Sequence, residues 1–184
     1  RAEFVAPWLP QTPYSLAQIF EERGLLRRRI YTSMYLPAES MRAGEMPEGV
    51  SRITERDALR WGEAAWFAFG GEASAGVDSY KRYGAYLATH KANAAFAIEG
   101  EEGYLSTALI HETAGTVGLY YFATLPEHRR HGFAARLMDG LTAALAHKGK
   151  PLVLLATEAG LPFYINYGFK VIDKIPICSL TDDI

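Results

Sequence analysis

Residues 121–136, YFATLPEHRRHGFAAR, pass from an apolar, strand-like run through a basic loop into a helix-period pattern. Pro126 cannot donate to a sheet ladder and closes the strand, and Gly132 allows close backbone approach where a side chain would intrude. Phe133, Leu137, Met138, Leu141, Ala144 and Leu145 then recur at helical spacing, which predicts an amphipathic helix over residues 133–147. The start of such a helix presents unpaired N–H groups and the positive end of the macrodipole, and Arg129 and Arg130 add charge beside it. The stretch reads as an anion cradle suited to a phosphate or pyrophosphate.

Two common phosphate-binding loops are demoted. No Gly-Lys-Ser/Thr follows, as a P-loop requires, and the single Gly132 does not supply the three glycines of a dinucleotide fingerprint. The chain has 184 residues, is 49% apolar and 12% aromatic, and can bury a substantial core. A net charge of −2 without a clustered basic excess argues against a nucleic-acid partner. Cys178 is the only cysteine, which excludes an intrachain disulfide and a Cys-based zinc site. No apolar run reaches the ~18 residues of a membrane span, so the expectation is a cytoplasmic protein with neither membrane nor metal partner.

Around the loop, residues 93–99, 104–112 and 115–124 read as a three-strand meander. Residues 50–53 read as a first strand, 55–69 and 77–90 as helices, 151–156 as a buried strand, 162–167 as a short helix, and 169–172 and 175–179 as two tail strands. The two long helices carry Trp61, Trp66, Phe67 and Phe69 on one and Tyr80, Tyr83 and Tyr86 on the other. Upstream, Ser15-Leu16-Ala17-Gln18 has the form of a capping box, with Leu16, Ile19 and Phe20 as the buried stripe of a helix that stops at Gly24. Arg27, Arg28 and Arg29 read as a solvated run near that helix end, followed by a strand at 30–36 and a Pro/Gly-rich linker over 37–49. Residues 1–46 are therefore expected to be an N-terminal extension of helix plus strand, and 47–184 the main domain.

Arg129-x-x-Gly132-x-Ala134, following Ala123-Thr124-Leu125-Pro126, resembles motif A of the GNAT superfamily of N-acetyltransferases. Pro151–Thr157 followed by Gly160–Phe169, with Tyr164-x-x-x-Gly168-Phe169, resembles the family's motif B. Two departures stand out: Thr157 and Gly160 occupy positions where family members often carry Asn and Ala, and Ala134 replaces the commoner glycine. The resemblance implies an α/β fold in which helices flank a mixed, mostly antiparallel central sheet, in the order β-αα-βββ-α-β-α-ββ. It also implies acetyl-CoA as co-substrate, bound at Phe122, Ala123, Thr124, Arg129, Arg130, His131, Gly132, Phe133, Ala134, Ala135 and Thr157. In that reading the backbone of Phe122 and Thr124 pairs with the pantetheine arm, and amides across Arg130–Ala135 take the pyrophosphate.

Transfer of an acetyl group from a thioester to an amine needs a held donor, a neutral amine, a stabilised oxyanion and a proton for the leaving thiolate. By the same resemblance Tyr164 stands where many members place the general acid; a tyrosine packed beside the cofactor is the other reading. The base has no clear owner. His111, Glu112, Glu158 and Glu99 all lie near strand ends, and His111 alone has an ordinary pKa near neutrality. The expected acceptor is a small-molecule amine more than a protein, and a homodimer is compatible with the pattern. The competing readings are a catalytically silent acyl-CoA-binding or sensing module and, ranked last, a nucleotide- or phosphate-binding protein.

Overall fold

The computed structural model describes residues 4–5, 19–20, 22–74 and 76–179. The chain forms two compact units, one of Leu36–Val153 and one of Arg1–Tyr35 with Leu154–Ile184. The capping box at Ser15 and most of the helix expected after it lie outside the described residues.

In the larger unit, β3 (Val50–Arg52), β4 (Asn93–Glu99), β5 (Tyr104–Glu112) and β6 (Val117–Thr124) form an antiparallel sheet in sequence order. β7 (Leu152–Ala156) joins β6 in parallel through Val117↔Leu152 and Gly118↔Val153, where the register stops. Short connections at Gly100–Gly103 and Thr113–Thr116 close the meander through backbone bonds of 2.7 Å and 2.9 Å. The sheet is mixed and mostly antiparallel, as expected.

Helices cover both faces of this sheet because successive strand residues point to opposite sides. One face carries Ala95, Ala97 and Leu109, against which α1 (Ala58–Ala68) and α2 (Gly76–Thr89) pack around Trp61. Trp61 is wholly buried, and its indole N–H donates to the Phe96 carbonyl at 3.0 Å, so the polar end of a large apolar side chain is satisfied. The other face receives α3 (Phe133–Leu145), whose Leu137, Met138, Leu141 and Leu145 are fully buried, each contributing roughly 1.5–3 kcal/mol of burial free energy. The helix thus begins at the predicted residue. It ends before 147 because residues 146–148 tighten into a 3-10 turn.

α1 and α2 meet backbone to backbone. A Cβ placed on Gly84 would lie 2.7 Å from the Gly62 Cα, closer than any real contact allows. The Trp66 and Tyr80 rings, one from each helix, meet at 5.0 Å between centroids with a tilt of 57°.

In the smaller unit, β1 (Phe4–Val5), β8 (Lys170–Ser179) and β2 (Leu26–Leu36) are neighbours in that order, both pairings antiparallel. Two expectations change here. Arg27–Arg29 lie within a strand instead of trailing a helix, because β2 pairs with β8 from Leu26 onward. The two tail strands are one continuous strand: the polar Asp173-Lys174 pair that suggested a break remains in register with Ser33 and Thr32, next to a bulge at Ser33/Met34. α4 (Leu161–Tyr167) completes the unit and stops at Gly168, which has φ +109° and donates to the carbonyls of Ile165 and Tyr164.

Candidate active site

The loop between β6 and α3 has the backbone of an anion-binding turn. After Pro126–His128 forms one 3-10 turn, Arg130 adopts φ +68° and Gly132 φ +83°, both left-handed. This winding turns successive amides inward, the arrangement known as a nest. The first amide of α3 with an intrachain acceptor is that of Arg136, which donates to Gly132 at 3.0 Å. Among the described residues the amides of Arg130–Ala135 have no protein acceptor. A Cβ at Gly132 would meet nothing within 4 Å, so the glycine is there for its left-handed φ and for the open space in front of it, not to relieve crowding within the protein. The donor set fits a diphosphate.

Arg129 has a different task from the one its charge suggests. Its Nε donates to the Thr124 carbonyl at 3.1 Å, and one terminal nitrogen donates to the Ala68 carbonyl at 3.0 Å. The side chain therefore ties the loop to the strand before it and to the last residue of α1. Arg130 and His131 are exposed at the rim, and His131 and His128 flank the Phe133 ring at centroid distances of 6.4 Å and 6.2 Å. Ala134 is half-buried and Ala135 exposed, small enough to leave the first turn of α3 uncovered.

β6 reaches this loop through a kink. Thr107↔Ala123 and Leu109↔Tyr120 pair on either side of a bulge, so Tyr121 and Phe122 together oppose Ala108. Tyr121 has φ +50°, unusual for a bulky residue, and the fully buried Thr107 hydroxyl donates to its carbonyl at 3.0 Å. The bulge aims the Tyr121 ring at α1 and α2, where it lies 5.7 Å from Trp61, 6.1 Å from Phe69 and 6.1 Å from Tyr80. Burial pushes the Tyr80 phenol well above its ordinary value, and the neighbouring Tyr121, bonded to it, adds to the shift. Burial raises Tyr121 as well, followed by repulsion from Tyr83, with the Tyr80 hydrogen bond acting in the other direction. Sequence reasoning noted Trp61, Phe69 and Tyr80 only as helix residues and gave the strand residue Tyr121 no role of its own. The pairing of Tyr80 with Tyr121 depends on a bulge that has no sequence signal.

Thr124 ends β6, and its hydroxyl is 2.7 Å from that of Ser106. Its partner across β5 fixes which end of the sheet holds the cradle, and this separates the candidate bases. His111 and Glu112 pair with Gly118 and Val117 at the opposite end, roughly 20 Å away at ~3.3 Å per residue. Glu112 is also held by Lys148 at 2.6 Å and Lys150 at 2.8 Å, which lowers its carboxyl to about 2. His111 Nδ1 lies 2.7 Å from Asn93 Oδ1. Glu99 stands at the cradle end of β4 but is bonded to Arg60 at 2.8 Å.

The remaining candidates belong to the smaller unit. Tyr164 sits on α4 and is 8% exposed, packed edge-on against Phe163 and Phe169 at 5.3 Å and 5.4 Å. Burial pushes its phenol well above the ordinary tyrosine value, so the group keeps its proton across the neutral range. Thr157 braces the start of α4: its hydroxyl accepts from the Gly160 N–H at 3.2 Å and its carbonyl from the Leu161 N–H at 3.0 Å. Thr157 and Glu158 border an open cavity of about 950 Å³ with Arg29, Thr32 and Lys174.

Residues 81–171 match the family model of the acetyltransferase (GNAT) domain. A comparison with curated proteins finds no match. Among solved structures, the chain is similar to a GCN5-related N-acetyltransferase from Sphaerobacter thermophilus, with TM-score 0.65 and 18% identity over 96% of this chain and 57% of that one. It is also similar to a GCN5-related N-acetyltransferase from Kribbella flavida, with TM-score 0.64 and 17% identity over 90% and 63% of the two chains. A third is a predicted acetyltransferase from Clostridium acetobutylicum, solved with acetyl-CoA, with TM-score 0.53 and 18% identity over 67% and 90%. The chain spans only about three fifths of the length of the first two. Residues 81–171 thus match the acetyltransferase (GNAT) domain, and the chain shares the fold of these solved acetyltransferases.

Proposed function

We propose that the protein is an acetyl-CoA-dependent N-acetyltransferase that passes an acetyl group directly to a small amine in a ternary complex. The observation that carries this reading is the run of amides from Arg130 to Ala135 with no protein acceptor among the described residues, wound by two left-handed residues at the start of a helix. Such a cradle suits the pyrophosphate of CoA, and the likeness to a structure solved with acetyl-CoA supports the same donor. When bound, acetyl-CoA supplies an acetyl group activated as a thioester.

The chain's own part is to hold and to exchange protons. Amides of the cradle fix the phosphates, and the backbone of Phe122 and Thr124, beside the β6 bulge, is placed in the role of guiding the arm that carries the thioester. Tyr164 is assigned the general acid. This rests on the Tyr164-x-x-x-Gly168-Phe169 match and on a buried phenol that stays protonated at neutral pH and can donate to a departing thiolate. Tyr80, Tyr121 and Trp66 are assigned the wall that receives the acceptor.

The silent acyl-CoA-binding reading keeps one observation in its favour: among the sequence-derived bases, His111 and Glu112 stand far from the cradle and Glu99 is occupied by Arg60. One assay separates the two. Protein and acetyl-CoA are incubated with a panel of small amines and a thiol reagent, and CoA binding is measured by calorimetry. Thiol release dependent on an amine supports transfer, whereas CoA binding without release across the panel supports the silent module. Absence of CoA binding removes both.

A further inference from the structure

The larger unit holds a second cavity, of about 370 Å³, at the end of the sheet away from the cradle. Its floor is apolar: Phe96, Ile110 and Leu145 are 3%, 6% and 1% exposed, and the 40%-exposed Met46 lies at the mouth. Its rim is basic. Arg52, Lys91 and Lys148 line it against a single carboxylate, Glu112, which is already bonded to Lys148 and to Lys150. Three lining cations thus meet one acid in a chain whose net charge is −2, so the excess is local and not a reflection of composition.

The end of α3 opposes an anion here, since a helix C-terminus carries the equivalent of about half a negative charge. The cations outweigh it several-fold. We infer that this cavity binds a small amphipathic carboxylate, its apolar body on Phe96, Ile110 and Leu145 and its head between Arg52 and Lys91. A guanidinium accepts a carboxylate in a two-pronged fashion, and Lys91 can add a point charge beside it. A polyphosphate would leave the apolar floor without a partner, and an uncharged hydrocarbon would leave the basic rim unused. The site is separate from the cradle: Glu112 pairs with Val117 and Thr124 with Ser106, at opposite ends of the same strand pair.

Hexanoate is the probe, titrated into the intact protein and followed by calorimetry and by the methyl resonances of Met46 and Ile110. The expected result is saturable binding with a dissociation constant on the order of 1 mM, about tenfold tighter than hexan-1-ol, with both methyls shifted. Arg52→Gln and Lys91→Gln, both at exposed positions, are each expected to weaken hexanoate by roughly threefold to tenfold at unchanged melting temperature. Saturating CoA is expected to leave hexanoate binding unchanged, so this outcome and the fate of the acetyltransferase reading are read separately. Binding that does not saturate, equal affinity for hexan-1-ol, insensitivity to both variants, or displacement by CoA would each overturn the inference.

Discussion

Arg129 donates to the carbonyl of Ala68 at 3.0 Å, a bond between the cradle loop and the last residue of α1, which are 61 positions apart in the chain. A cation at a helix C-terminus also meets the negative end of the macrodipole, so the contact is favourable twice. The loop is held by this strut while its backbone amides converge on the nest.

Arg129→Ala is therefore expected to act on the loop before it acts on a ligand. Loss of two hydrogen bonds from a partly exposed guanidinium should cost about 1–2 kcal/mol and lower the melting temperature by a few degrees. CoA affinity should fall by less than about tenfold. Calorimetry on the folded variant decides: complete loss of CoA binding would mean that the side chain, and not the backbone, carries the anion.

Gly132 separates conformation from access. Its φ of +83° is costly for any residue with a Cβ, roughly 1–2 kcal/mol, although that Cβ would touch nothing. Gly132→Ala should reduce stability by about that amount and weaken CoA moderately. Gly132→Glu adds a negative charge at the mouth of the nest, and CoA affinity should drop on the order of a hundredfold, which is about 2.7 kcal/mol. Unchanged CoA affinity in the glutamate variant would end the cradle interpretation.

Tyr164→Phe deletes one hydroxyl and keeps the ring between Phe163 and Phe169. If the phenol is the general acid, kcat should fall about 10²–10⁴-fold with a much smaller change in KM for acetyl-CoA. Burial raises its pKa, so ionisation of this group cannot produce an alkaline limb below about pH 10. The same shift contributes to stability below the unfolded tyrosine value near 10 and is lost as pH rises through the folded value. A kcat that stays within about threefold of wild type would return Tyr164 to a packing role.

Glu112 gives a prediction at the acid end. Lys148 and Lys150 lower its carboxyl from 4.5 to about 2, so the folded state binds its proton less readily than the unfolded state. The stabilisation is complete above about pH 4.5 and disappears as pH falls toward 2. Thermal melts of wild type and Glu112→Gln should therefore differ at pH 7, converge progressively below pH 4.5, and differ less at about 1 M salt, where exposed pairs are screened. A difference independent of pH would show that the carboxylate charge is not what Glu112 contributes.

Much of the larger unit was legible because its signals are local. The strands Asn93–Glu99 and Tyr104–Glu112 alternate between turn residues and begin and end where expected, and α3 starts directly after the glycine that wound the loop. Elements defined by distant partners were not legible. Arg27–Arg29 became strand only because Cys178 and Ile177 lie opposite Arg27 and Arg29, and β8 continued through Asp173 because β2 runs beside it. At the site, the position of Gly132 could be read, whereas the duty of Arg129 could not, since carbonyls leave no mark in a sequence. His111 and Glu112 could not be told apart from Glu99 for a related reason: which end of a meander faces the cradle is a matter of register, and register appears only when Ser106 meets Thr124.

The contact of Gly62 with Gly84 sets a hard stop for any guest that settles among the rings of α1 and α2. Main chain against main chain does not compress, so α1 and α2 cannot close further at this crossing to draw Trp66 and Tyr80 away from a guest. A larger acceptor would have to be admitted by trimming a ring. Substrate range in such a scaffold would then change in steps, one aromatic exchange at a time, while the frame that carries the rings stays as it is.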